Sequence, residues 1–263
     1  MRGRWLLAAM LALPVAATTA QSADTLHVTA QGAVGKAGVG TYPSDARLST
    51  VALAADVDVD AYMIGAAWLQ PGLKRDQLRL QAGLVYELGA IRRQAIGSEN
   101  DALAESSAAF QGWLSARPIT GRRAAVALDP TVLEVTPESD WPVHEGDTLF
   151  YPRRPADIRV VGAVDKACHV PHVPMQDARR YLAACPASRA ADPDMIYVVQ
   201  ADGAVFEQDI ALWNRSEPRP LAPGAWIYVP FDRHAIAGAA DESFNRDVAD
   251  FLATQILSDD AWR

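Results

Sequence analysis

The sequence predicts an α+β protein in which one small, strand-rich unit is used twice. Three observations carry this reading. "LAPGAWIYVP" at 221–230 echoes "VHEGDTLFYP" at 143–152, so that Gly146 matches Gly224, Leu149 matches Ile227, Phe150 matches Tyr228 and Pro152 matches Pro230. "GAV" at 32–34 recurs at 162–164, and "DARLSTVALAADVDVDAYMI" from Asp45 recurs as "DARRYLAACPASRAADPDMI" from Asp177 at an offset of 132. The offset then falls from 132 to 78 at the closing strand, which gives the first copy 54 extra residues.

The elements follow in chain order. Arg2 and Arg4, the apolar "WLLAAMLALPV" and the small residues "TTA" before Gln21 make residues 1–20 a cleaved secretory signal. Residues 24–153 form the first unit, with "GKAGVG" as the connection of its first hairpin. Its extra residues hold two stripes at helical spacing, Leu80, Leu84, Leu88 and Ile91, then Leu103, Phe110, Trp113 and Leu114, with the polar "GSEN" between them. They predict an antiparallel helical hairpin over about 73–117. Residues 155–232 form the second unit. "DIRVVGAV" is a strand, "MQDARRYLAAC" a short helix with Ala178, Tyr181 and Leu182 on one face, and "MIYVVQADGAVF" two strands joined by a turn. A sheet of four or five strands crossed by one covering helix is the β-grasp arrangement, so the chain should be two tandem β-grasp domains. In 240–258, Phe244, Val248, Phe251, Leu252 and Ile256 predict a C-terminal amphipathic helix.

Charge narrows the function. Removing the signal takes away Arg2 and Arg4 and no acidic residue, so the net charge moves from −8 to −10. Such a surface disfavours nucleic acid and anionic membranes. After the signal, no apolar run approaches the length of a membrane span. The exported chain is expected to be a soluble monomer.

Candidate chemistry is sparse. Asp56, Asp58, Asp60, Glu134 and Glu138 are read as solvated surface, and no Walker loop, zinc-protease helix or Gly-x-Ser-x-Gly elbow occurs. Cys168 and Cys185 form a disulfide by default in an oxidising compartment. With His169 and His172 they could instead make a zinc tetrad, although the disulfide competes for both sulfurs. Arg122, in "ITGRRAAVALDP", enters the joint where the helical hairpin returns to the sheet. It either ties the insertion down or offers a donor fork to a sugar. Trp213 and Asn214, before the Pro-rich loop of "ALWNRSEPRPLAPG", are either a core plug or an aromatic face and amide for a sugar.

At "ITGRRAAVALDPTVLEV", "GDTLFYP", "VVGAV" and "ALWNRSEPRPLAPGAWIYVPF" the sequence resembles the GfcC family, exported accessory proteins encoded with group 4 capsule machinery. The resemblance implies β-grasp domains like those of the Wza-type outer-membrane polysaccharide exporter, an inserted helical hairpin, and a terminal helix packed on the body. It further implies a periplasmic, non-enzymatic role in capsule or exopolysaccharide assembly or export, without a cofactor. The expected partners are capsular or extracellular polysaccharide and the exporter itself. Within the family's "TGR" motif the Arg is thought to lie in a pocket, and Arg122 is the matching position. Arg122, Trp213 and Asn214 are accordingly the expected polysaccharide contacts. The other classes left open are a polysaccharide-modifying enzyme and an adaptor that touches only proteins.

Overall fold

The computed structural model describes residues 24–257, so the signal segment lies outside the described residues. The first sheet contains β1 (Thr25–Gly32), β2 (Gly38–Pro43), β3 (Ala67–Leu69), β4 (Arg122–Arg123) and β5 (Thr148–Tyr151), in the order β2-β1-β5-β3-β4. The central pair β1 and β5 is parallel and the other pairs are antiparallel. Helix α1 (Leu48–Ala55) buries Leu48, Val51, Ala52 and Ala55 on this sheet. The second sheet repeats the plan with β6 (Asp157–Gly162), β7 (Cys168–Pro171), β8 (Met195–Val199), β9 (Val205–Asp209) and β10 (Trp226–Val229), ordered β7-β6-β10-β8-β9. A parallel central pair flanked by antiparallel strands, with a helical crossover, is the β-grasp topology, present twice. The matched glycines serve one purpose: Gly146 (φ +79°) and Gly224 (φ +82°) both turn the chain in the left-handed region just before the closing strand.

The repeat is real, but its register differs from the sequence alignment. Val34 bridges Val57 as Val164 bridges Ala187, and Arg47 bridges Pro142 as Asp177 bridges Pro220. The upstream halves therefore correspond at an offset of 130, and the first copy is longer by 52 residues. The Asp-Ala-Arg and Met-Ile identities at 132 are out of register by two. Alanine-rich segments align easily at several offsets, and the two copies differ just there. The crossover α1 has eight residues, whereas its counterpart α5 (Ala178–Tyr181) is one turn.

Leu69 pairs with Arg122 as Val199 pairs with Val205. The insertion thus replaces the tip of the β3–β4 hairpin: 70–121 stands where the second sheet has only 200–204. It folds as α2 (Lys74–Gly97) and α3 (Asp101–Ser115), with Asn100 capping α3 by accepting from the Leu103 N–H at 3.2 Å. The hairpin packs on the second sheet, although it grows from the first. Phe110 stacks on Tyr228 at 5.7 Å, and Trp113 meets Trp226 edge-on at 5.8 Å.

That cover explains the strand composition. In "MIYVV" and "WIYV" every residue is buried, because α5 lies on one face and the hairpin with the tail helix on the other. In β1, whose second face is open, Leu26, Val28 and Ala30 alternate with more exposed neighbours. The first sheet keeps a separate core with α1 and α4 (Pro130–Val135), centred on Leu48, Leu133, Leu149 and Tyr151.

After a short α6 (Arg233–Ile236), α7 (Phe244–Ala253) seats Phe244, Val248, Phe251 and Leu252 on the second sheet's core. Asn245 fixes its approach, accepting from Tyr228 Oη and from the Phe231 N–H and donating to Phe231 O. The stripe was expected to run on to Ile256, but the helix stops at Ala253. Beyond it, the Thr254 and Gln255 carbonyls are taken by Thr120 and Arg122, and the chain leaves the helical path. Ile256 is only half-buried, while Leu257 is buried in a small cluster with Tyr62 and Ala201.

Cys168 on β7 and Cys185 after α5 are joined, with Cα atoms 6.3 Å apart. The bridge closes a loop of 17 residues over a crossover with little helix of its own. The double substitution C168S/C185S should lower the unfolding free energy by about 3 kcal/mol. Urea titration under oxidising and reducing conditions measures this. An unchanged midpoint on reduction of the wild type would show that the bridge contributes nothing.

Candidate functional site

The "TGR" motif forms the joint between the two domains, the hairpin root and the tail. Thr120 donates its hydroxyl to Thr254 O at 2.6 Å and accepts from the Arg122 N–H. Gly121 has φ +78°, and a Cβ there would lie 2.4 Å from Gln70 O, so only glycine fits. Gln77 of α2 clasps the strand, accepting from the Gly121 N–H at 2.8 Å and donating to Arg122 O at 2.9 Å. The Arg122 guanidinium then crosses to the second domain, donating to Ala201 O and Gln255 O, both at 2.7 Å. Arg122 is 4% exposed, and its Nε has no hydrogen-bond partner. Burial pulls its pKa down to about 10, opposed by the field of Asp202.

Trp213 and Asn214 lie in the turn after β9. Trp213 is no core plug: it is 78% exposed, beside an 89%-exposed Leu212. Its Nε1–H points at Asp194 Oδ1 at 3.4 Å, and Asn214 Nδ2 approaches Asp194 O at 3.5 Å, leaving the Asn214 Oδ1 buried without a partner. A cavity of about 290 Å3 opens at this point, lined by Trp213, Asp192, Asp194, Asp232, Arg233 and His234. Asp192 is buried. It accepts from the Asp194 N–H at 2.9 Å and stands 3.5 Å from Arg233 Nε. Arg233 and His234 also line a second cavity, of about 480 Å3, which runs on towards Asp241 and Asn245. The two cavities share Arg233 and His234 in their linings; the first, which the Trp213 indole lines together with the carboxylates of Asp192, Asp194 and Asp232, is the Trp213 groove.

The expected contacts do not converge. Asp194 precedes β8 and Ala201 follows it, so Trp213 and Arg122 are anchored near opposite ends of one strand, about 20 Å apart. His169 Nδ1 lies 2.6 Å from Asp157 Oδ2, and His172 Nε2 is 2.9 Å from Leu221 O, so the two rings serve different partners. Among the described residues no group of three His, Cys, Asp or Glu is placed to hold a metal. Asp56, Asp60, Glu134 and Glu138 are exposed. Sequence reasoning missed Gln77 and Gln81, both buried and hydrogen-bonded to the hairpin root. The signal was there: they continue the Leu84, Leu88 and Ile91 stripe of α2 by steps of three and four, which a count of apolar residues passes over.

Among the described residues no helix is long and apolar enough to cross a membrane. The N-terminal model of the capsule biosynthesis family GfcC matches residues 22–154, and the C-terminal model of the same family matches 166–257. The chain is also similar to the uncharacterized protein YjbG of Escherichia coli (strain K12), at 27% identity over 179 residues, which cover 68% of this chain and 70% of that protein. With both halves matched in order on the doubled fold, the chain belongs to the GfcC family of capsule biosynthesis proteins.

Proposed function

We propose that the protein is a periplasmic, non-enzymatic accessory of capsule or exopolysaccharide assembly or export, and that it binds a glycan along the Trp213 groove. The exposed Trp213 indole above a cavity of fixed carboxylates carries this reading. An indole face left in water offers apolar area and an electron-rich π-face to the C–H face of a pyranose. Asp194 and Arg233 then supply an acceptor and a donor for ring hydroxyls. Asn214, wedged under the turn, holds the indole in place. The exporter's own β-grasp rings remain the candidate protein partner.

Affinity electrophoresis of the mature protein in gels containing the host's polysaccharide tests the groove. The wild type should be retarded, and Trp213→Ala should lose roughly three- to tenfold in affinity without losing stability, because its side chain is in solvent. A wild type that migrates unretarded would overturn the glycan reading. One observation favours a second reading, an adaptor that touches only proteins: Arg122 is sealed, and both of its terminal nitrogens donate to backbone carbonyls of the protein itself. That reading predicts no retardation at any glycan concentration.

A further inference from the structure

The Trp213 groove is unbalanced in charge. Its carboxylates, Asp192, Asp194 and Asp232, face one guanidinium, Arg233, and one imidazole, His234. Arg233 is already engaged: its Nε stands 3.5 Å from Oδ2 of the buried Asp192, and its Nη2 meets Met195 Sδ at 3.4 Å. Asp192 accepts from the Asp194 N–H through its other oxygen. That pairing leaves Asp194 and Asp232 as the uncompensated charges. Each accepts one hydrogen bond through Oδ1, from Trp213 Nε1–H at 3.4 Å and from the His234 N–H at 2.8 Å. The Oδ2 of each takes no hydrogen bond from a described residue.

The surroundings deepen the imbalance. The adjoining cavity adds Asp241 and Glu242 to the shared Arg233 and His234, and brings no further cation. Glu87 of α2 registers the negative field on that side: burial raises its pKa, Asp241 and Asp247 raise it further, and a hydrogen bond from the Asp241 backbone opposes them. The Trp213 indole is 78% exposed, and no ring or guanidinium of a described residue stacks on it, so its faces are open. Asp194 sits at the N–H edge of the indole, so a sugar stacked on the ring has this carboxylate beside it. Hydroxyls can donate to the open Oδ2 atoms, whereas an ionised carboxylate has no proton to donate and brings a like charge. Sites reject a close analogue through such repulsion as much as they select by attraction.

We infer that the groove takes a glycan residue without a carboxylate, and that Asp194 and Asp232 are the side chains that turn a uronic acid away. This selectivity rests on the glycan reading above and narrows the class of sugar that can occupy the groove. Repulsion between solvent-facing charges is screened by salt, so the discrimination is greatest at low ionic strength and shrinks as salt rises.

The test uses the host's polysaccharide in two matched forms. One has its uronic acids reduced to hexoses by carbodiimide and borohydride, and the other has its primary alcohols oxidised to carboxylates. The indole N–H resonance of Trp213 in the mature protein reads binding by NMR. The reduced form should bind about tenfold or more tightly than the oxidised form in about 0.01 M salt, where charges act over about 30 Å, and the gap should close towards about 1 M. Asp194→Asn/Asp232→Asn should bring the two forms within about threefold, because asparagine removes the charge but keeps an acceptor at both positions, the α6 cap included. Glu134→Gln/Glu138→Gln also removes two charges, both exposed and in the first domain, and should leave the gap unchanged. Thermal melts matching wild type would confirm that the variants fold, and the salt series needs only the wild type. The selectivity is overturned if the two forms bind alike in low salt, if the gap persists in high salt or in the asparagine pair, or if the glutamine pair closes it. In each of those cases a Trp213 shift leaves the glycan reading standing. If neither form moves Trp213, the groove reading falls and the selectivity falls with it.

Discussion

Replacing Arg122 with Ala is expected to lower the unfolding free energy by about 2–4 kcal/mol. The guanidinium makes two charge-assisted hydrogen bonds of 2.7 Å to carbonyls of the β8–β9 turn and the tail. Removing it strands both acceptors and leaves a hole at the joint of the two domains. The loss is smaller than the bonds alone suggest, because the buried cation is imperfectly served, with an orphan Nε, and its desolvation cost disappears with it. Arg122→Met should recover part of the loss by refilling the volume. The sign of any pH dependence also follows. The folded-state pKa is depressed, so the cost of burying the charge is present at every pH below about 10 and is relieved only above it. Arg122 should therefore add no slope to stability between pH 5 and 9. Urea titrations of the three proteins across that range check both statements, and limited proteolysis should show the tail beyond Ala253 released in Arg122→Ala. A stable Arg122→Ala variant with a protected tail would mean that the joint does not depend on this side chain. It would return Arg122 to the list of ligand contacts.

"TGRRAAVALDP" marked the joint correctly, since a Gly before an Arg at the foot of an insertion implies a tight turn and a fork needing acceptors. Whether those acceptors belong to a ligand or to the protein depends on where residues 201 and 255 arrive, which no local pattern encodes. The same limit separates Arg122 from Trp213: both stood out, but only the pairing of β8 shows that they are anchored near opposite ends of one strand. The closing strands were legible because Gly146 and Gly224 meet the same backbone requirement and leave the same mark. The helical crossovers were not, because alanine fits many registers and α5 shrank to one turn.

Phe110→Ala should produce a loss of about 3–5 kcal/mol, and the loss should fall on the domain in which Phe110 does not reside by sequence. Phe110 is 4% exposed, stacked on Trp113 at 5.4 Å and on Tyr228 at 5.7 Å, and in contact with Phe231 at 6.0 Å. All of this belongs to the core that joins the hairpin, the second sheet and α7. The first sheet's core, with Leu48, Leu133 and Leu149, is a separate cluster. Native-state hydrogen exchange resolves the two. Phe110→Ala should reduce protection of amides in β8 and β10 while leaving β1 and β5 near wild type, and Leu133→Ala should do the opposite. If both variants lower protection uniformly, the domains unfold as one cooperative unit, and the Thr120-Gly121-Arg122 joint couples them more strongly than separate cores imply. If the effects separate, the insertion is best understood as a covering layer carried on a hairpin tip of one β-grasp domain and donated to the other. On that view the second sheet's uninterrupted "MIYVV" and "WIYV" runs are soluble only because the first domain supplies their second face. Shortening the β3–β4 connection to the five residues of 200–204 should then spare the first sheet and expose the Tyr228 face of the second, read as dye binding and aggregation.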